Sequence, residues 1–218
     1  MMLRALNRQD IKEIAAIHRS AFPESAWTKL GNRVVEEFYL WHLLGPHPIV
    51  RATGAYVEGQ CAGFCISGVF HASTSGFLSK NRNLLITRIV VKPWLIFDPV
   101  FVGKLKSGQM ILQKFKKKNQ ERDSVPAKAV DSFGILAIAV DPVRQGLGLG
   151  QLLMDDAEKA AIDHDFSKMD LTVNPGNHGA IKFYERLHWV KKSHQNEMWK
   201  GVMVKELSPV RELSAGPH

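Results

Sequence analysis

An uninterrupted apolar run, Leu136-Ala137-Ile138-Ala139-Val140, passes through Asp141-Pro142 into Gln145-Gly146-Leu147-Gly148-Leu149-Gly150, and strong helix formers follow from Gln151 to Ala161. The run suits a strand buried on both faces, which Pro142 ends, and glycines at alternate positions remove side chains where a ligand must approach. A helix that opens within those glycines presents first-turn amides with no partner inside it. With the positive end of the helix dipole they favour an anion, by roughly 0.3–1 kcal/mol from the dipole alone at an exposed site. The chemistry on offer is therefore phosphate binding. It is neither the dinucleotide pattern G-x-G-x-x-G nor a Walker loop, since no Gly-Lys-Ser or Gly-Lys-Thr follows. Taken alone, the six residues also read as a turn that merely joins a strand to a helix.

The segment resembles motif A of the GNAT superfamily of acyl-CoA N-acyltransferases, whose Gln/Arg-x-x-Gly-x-Gly/Ala pattern is met by Gln145, Gly148 and Gly150. A second signature lies downstream. Met169 to Val173 reads as a strand broken by Asn174-Pro175-Gly176, and the helical stretch after it carries Asn177, Ala180 and Tyr184 at the family's N-x-x-A-x-x-x-Y spacing. The family usually has Gly then Phe after this helix, where Leu187-His188-Trp189 stands here, so the turn at His188 is expected to differ.

The resemblance implies a fold, a donor and roles. The fold is a mixed α/β domain with a central, partly splayed sheet flanked by helices. The donor is acetyl-CoA, its pyrophosphate held by Gln145, Gly146, Leu147, Gly148, Leu149 and Gly150, and its pantetheine arm paired with the strand edge at Ile138, Ala139 and Val140. Asn177 would bond the arm, and it also reads as a helix N-cap, a role that can coexist with that one. Tyr184 is the implied acid that protonates the departing thiolate, against a tyrosine that only packs its helix. Glu24, His71 and Asp131 are the candidate bases for the attacking amine, with Glu24 put forward. Attack is direct, in a ternary complex; no G-x-S-x-G elbow points to a covalent intermediate.

Composition bounds the rest. The 218 residues, 45% of them hydrophobic, suit one domain, here expected over 1–207 with a helical insertion at about 71–130 and a loose tail at 208–218. Only Cys61 and Cys65 occur, four apart on one expected strand, so they should share a face as reduced core residues. No histidine pair has metal-ligand spacing, and no metal is expected. Without an apolar signal core or a bilayer-length apolar stretch, a cytoplasmic protein is expected.

The positioning elements can be read along the chain. Met2 to Ala5 reads as a strand, Asn7 and Asp10 as the cap of a helix carrying Ile11, Ile14, Ala15 and Ala21, and Phe22 to Trp27 as a loop. A second helix is expected over Leu30 to Leu44, then a hairpin of Ile49–Val57 and Cys61–Phe70 around Glu58-Gly59-Gln60, and a last strand over Met198–Leu207. Between Phe70 and Phe133 two helices are expected, one around Leu84–Val91 and one over Pro99–Lys118 with the basic cluster Lys114, Lys116, Lys117, Lys118 and Arg122. With 29 Lys and Arg against 21 Asp and Glu, this insertion reads as a solvated basic cover, a recogniser of a small-molecule or sugar-linked amine acceptor, or a contact to an anionic membrane surface. Nucleic acid is disfavoured, a homodimer is allowed, and the alternative to an enzyme is a noncatalytic acyl-CoA-binding module.

Overall fold

In a computed structural model, residues 1–70, 73–98, 102–103, 132–193 and 198–207 are described. The elements are β1 (Met2–Ala5), α1 (Ile11–Ala21), α2 (Ala26–Leu30), α3 (Asn32–Leu44), β2 (Ile49–Val57), β3 (Gln60–Val69), α4 (Ser73–Lys80), α5 (Arg82–Val91), β4 (Phe133–Val140), α6 (Leu149–Asp163), β5 (Lys168–Thr172), α7 (His178–Arg186), β6 (Val190–Lys191) and β7 (Val202–Glu206). Among the described residues seven strands form one mixed sheet in the order β1-β2-β3-β4-β5-β7-β6, antiparallel except for the β4–β5 pair. Of the expected helix over Pro99–Lys118 only residues 102–103 are described, and they are helical; its lysine cluster and the tail lie outside the described residues.

Two cores sandwich the sheet. On one face, α1 to α5 gather Ile14, Val34, Val35, Phe38, Phe77 and Leu85 over Phe64, Ile66 and Ala139. On the other, Leu149, Leu153 and Met154 of α6 and Ile181 and Tyr184 of α7 cover Cys65, Ile135, Met169 and Leu171. Polar ties hold α6 at both flanks. Asp156 accepts from Arg51 Nε at 2.9 Å and Thr53 Oγ1 at 2.6 Å on β2, and Glu158 takes Lys205 of β7 at 2.6 Å.

Local chemistry explains most boundaries. Asn7 and Asp10 form the expected capping box, and Glu58 and Gly59, both at positive φ (52° and 78°), make a two-residue turn with Val57 opposite Gln60. Two expectations are corrected. Residues Ala26–Leu30, read partly as loop, are a short helix capped by Ser25, and Gly31 at φ 115° breaks the chain so that α3 starts at Asn32. The final strand is shorter than Met198–Leu207, and Val190–Lys191 adds an unforeseen edge strand.

The cysteines are corrected as well. The register slips between Ala55 and Tyr56, whose partners are Gly63 and Cys61, so Ala62 is an extra residue in β3. One added residue reverses the alternation. Cys61 consequently packs against the α1–α5 core and buried Cys65 against the α6–α7 core.

Candidate functional site

A second bulge shapes the centre of the molecule. Ile66 pairs with Ala137 but Ser67 with Ile135, leaving Leu136 as the extra residue of β4. β4 pairs with β5 only over Phe133–Ile135, opposite Met169–Leu171, and beyond that bulge the two parallel strands part. The N–H of Asp141 donates to Ala62 O at 2.8 Å, so by alternation Ala139 and Ala137 also turn their main chains to β3. Ile138 and Val140 turn theirs the other way, into the gap left by β5. Ala139, grouped with them from the sequence, instead buries its side chain in the α1–α5 core and directs its amide to β3.

The strand ends at the glycine turn. Asp141 caps the short 3-10 turn Pro142–Arg144 through Val143 N, and Gln145 Nε2 donates to Val140 O at 3.4 Å. Gly146 (φ 83°) and Gly148 (φ 77°) take left-handed backbone, and a Cβ at either would meet no atom within 4 Å. Gly148 is the N-cap of α6 and supplies no side-chain cap; the first main-chain bond is Leu152 N to Gly148 O at 3.2 Å. The amides of Leu149, Gly150 and Gln151 thus lack acceptors within the helix, beside open space. Leu147 is exposed, while the Leu149 side chain is fully buried and leaves only its amide to the turn. Gly150 has a different reason to be small, since a Cβ there would lie 3.2 Å from the Phe183 ring of α7. That close approach seats α7 against the start of α6.

Asn177 takes the capping role: its Oδ1 accepts from Ala180 N at 3.1 Å and opens α7. Tyr184, two turns beyond that cap, is buried in the core that also holds Cys65, Ile138 and Val140. Burial pushes its phenol up from the ordinary tyrosine range, the neighbouring Cys65 adding to the shift, and the Cys65 thiol is itself pushed up to about 12 by burial. Tyr184 is protonated at neutral pH. The turn after α7 closes without glycine. His188 adopts φ 65°, Trp189 N donates back to Tyr184 O at 3.0 Å, and the Trp189 ring is buried beside the tyrosine.

The candidate bases fare differently. Glu24 is 81% exposed in the α1–α2 connection and pairs with Lys29 at 2.8 Å, on the sheet face opposite Tyr184. Lys29 also holds Asp98 at 2.7 Å, and Lys92 Nζ donates to Lys29 O at 2.8 Å, so the insertion is fastened to this region. His71 and Asp131 lie outside the described residues. Two groups escaped the sequence reading. Arg144, two residues before Gly146, donates to Gln60 Oε1 at 3.2 Å and pairs with Glu58 at 3.8 Å. Asp170 lies opposite Gly134, one pair before the strands part, and accepts from Ser132 Oγ. Because Met169 and Leu171 enter the α6–α7 core, Asp170 projects from the other face. The alternation of residues 169–173 contained that signal; its place beside the gap did not appear until β4 was paired.

A polar pocket of about 580 Å³ lies elsewhere, lined by Gly31, Arg33, Glu36, Glu37, Arg88 and Lys92. Among the described residues no cluster of three or more His, Cys, Asp or Glu is arranged to hold a metal, and no helix is long and apolar enough to cross a membrane.

Comparison with known proteins adds a family match over one stretch of the chain. Residues 117–189 match the Acetyltransferase (GNAT) family. The fold is shared with the ribosomal-protein-S18-alanine N-acetyltransferase of Escherichia coli (17% identity, 99% of each chain covered, TM-score 0.52). It is shared with the ribosomal-protein-alanine N-acetyltransferase of Brucella melitensis (15%, 95% of this chain and 100% of that, TM-score 0.56). The PaiA N-acetyltransferase of Thermoplasma acidophilum, solved in complex with coenzyme A, is similar again (11%, 94% and 98%, TM-score 0.55). No curated protein matches the chain significantly.

Proposed function

Residues 117–189 match the Acetyltransferase (GNAT) family and the chain shares its fold with N-acetyltransferases, and on that premise we propose that this protein moves an acetyl group from acetyl-CoA to a primary amine by direct attack. The observation that carries the reading is the uncapped, sterically open start of α6 at Gly148, placed where β4 parts from β5 and next to the helix that bears Tyr184. An anion fits this cradle, because unpaired amides and two left-handed glycines leave room that any side chain would take.

The amides from Leu149 to Gln151 hold the pyrophosphate, with Gln145, Gly146 and Leu147 shaping the rim. Ile138 and Val140 offer the main-chain groups of the splayed edge to the pantetheine amides. An N–H there also polarises the thioester carbonyl as negative charge develops on its oxygen, a contact worth about 2.7–4 kcal/mol in a preorganised site. Asn177 fixes the start of α7 and thereby the position of Tyr184. The amine nitrogen forms the new C–N bond as the C–S bond breaks. Tyr184 gives its proton to the leaving sulfur, and the proton shed by the amine restores it. Asp170 holds the incoming ammonium from the opposite face, and takes up the proton that must leave before attack. Glu24, tied to Lys29 and far more exposed, is the weaker candidate for that role.

The acceptor is a small-molecule or sugar-linked amine. The neighbours named for ribosomal-protein alanine make a protein N-terminal amine the second class to test. Free-thiol release should be measured with acetyl-CoA and a panel of amino sugars, polyamines and alanine-initiated peptides, with mass spectrometry of the products. Acetylated product from one class establishes the reading. Tight coenzyme A binding with no thiol release from any amine would leave a noncatalytic acyl-CoA-binding module instead.

A further inference from the structure

Charged side chains of both signs meet in one cavity without pairing. The polar pocket of about 580 Å³ takes one wall from α3, which carries Arg33, Glu36 and Glu37, and another from the end of α5, which carries Arg88 and is closed by Lys92. Arg33 is exposed; Glu36 and Glu37 on one side, and Arg88 and Lys92 on the other, are half-buried. Among the described residues the side chains of Arg33, Glu36, Glu37 and Arg88 make no hydrogen bond and no ion pair. Arg88 is the most telling of them, because its Nε is fully buried and has no acceptor. A buried guanidinium N–H left without an acceptor is rare in a folded chain and calls for one from outside it.

Opposite charges around one gap would close it into ion pairs if both sides were free to move. Here each side is tied elsewhere. Lys92 Nζ donates to Lys29 O at 2.8 Å, and Lys29 is itself held by Glu24 at 2.8 Å and Asp98 at 2.7 Å. Glu36 and Glu37 are fixed by their place on α3, between the buried pairs Val34, Val35 and Phe38, Tyr39. The cavity is therefore bipolar. Its cationic wall suits a carboxylate, and its acidic wall suits an ammonium. A simple anion would be repelled by Glu36 and Glu37, and a simple amine by Arg88 and Lys92, so only a molecule with both charges satisfies both walls. We propose that this cavity binds a small zwitterion of the amino-acid class, with its carboxylate on Arg88 and Lys92 and its ammonium on Glu36 and Glu37. The site stands among α1–α5, across the sheet from α6, and does not rest on the acetyl-transfer reading.

The test uses the full-length protein without acetyl-CoA, in calorimetry and in amide-resolved NMR titrations. The probes are glycine, β-alanine and γ-aminobutyrate, which set the two charges progressively further apart, and propionate, propylamine and inorganic phosphate, which carry one sign only. One of the zwitterions should bind roughly tenfold or more tightly than any probe of a single sign, and should shift the amides of residues 30–37 and 88–92. Arg88→Met keeps the aliphatic stem and should lower that affinity roughly tenfold or more. The double variant Glu36→Gln with Glu37→Gln should lower it as much, and its unchanged thermal midpoint keeps the test valid even where Arg88→Met disturbs the fold. The proposal is overturned if no zwitterion binds, or if phosphate, propionate or propylamine binds as tightly. It is also overturned if the shifted amides gather around residues 138–150 and Tyr184, or if the glutamine pair binds undiminished.

Discussion

Among the described residues two helices begin at a glycine with positive φ and no side-chain cap, α3 at Gly31 and α6 at Gly148, yet their surroundings differ. At Gly31 the space is shared by Arg33, Glu36, Glu37, Arg88 and Lys92, and a Cβ would already stand 3.9 Å from the Lys92 ammonium. At Gly148 nothing lies within 4 Å, and the neighbouring strand edge is open. The same local device therefore faces a pocket lined by charged side chains in one place and a side-chain-free turn beside a strand edge in the other. What differs is the traffic of long-range partners. The insertion reaches back to the first opening, whereas the parting of β4 and β5 clears the second.

Substitution should separate the two openings most sharply in cofactor affinity. Gly148→Glu places bulk and negative charge among the amides and should weaken coenzyme A by roughly 100-fold, about 2.7 kcal/mol, in calorimetry. Gly31→Ala should leave that affinity within about twofold, since it lies among the α1–α5 helices, on the face of the sheet opposite α6. Equal losses in both variants would erase the distinction.

On the open side, Tyr184→Phe keeps the packing but removes the transferable proton. Turnover should fall by about 10²-fold with the KM for acetyl-CoA little changed, and the alkaline limb of the pH–rate profile should alter. Full activity in this variant would reduce Tyr184 to a core residue. Asp170→Asn should act on the acceptor alone, raising its KM by roughly tenfold while coenzyme A binding is preserved.

At Gly31 the effects fall on stability. Gly31 combines φ 115° with ψ 170°, a region reserved almost wholly for glycine, so Gly31→Ala should destabilise by about 1–3 kcal/mol in urea titration. Acid should loosen the same region. His18, bonded to Tyr39 of α3 at 2.6 Å, and His42, bonded to Phe38 O at 2.7 Å, are both depressed to about 4, chiefly by burial. The unfolded chain takes up their protons near the ordinary value of 6.5 and the folded one does not. Stability is therefore complete above about 6.5 and declines as the pH falls toward about 4, which a lower urea midpoint at pH 4.5 than at pH 7 would register. A midpoint independent of pH over that window would show that these histidines are not held neutral.

Much of the cradle was readable from order alone. The strand–glycine–helix succession at 136–161, the cap of α7 at Asn177 and the inward periodicity of Tyr184 all rest on contacts within a few residues. Less readable were features that require a partner strand. The two bulges, at Ala62 and Leu136, shift side chains between faces, and they sent Cys61 and Cys65 to opposite cores and Ala139 away from the gap. Glu24 and Asp170 show the same limit. A carboxylate in a loop is easy to nominate, but only pairing shows that one is bound to Lys29 and the other stands beside the parting strands.

The amino-acid order by itself determined the elements, their caps and the glycine turn that opens α6, because backbone sterics and hydrogen bonding within a few residues decide them. Tertiary structure alone decided where β4 leaves β5, which glycine-led helix stays open, and which face each strand residue serves. Those outcomes depend on register between strands far apart in sequence, and a single slipped residue reverses them.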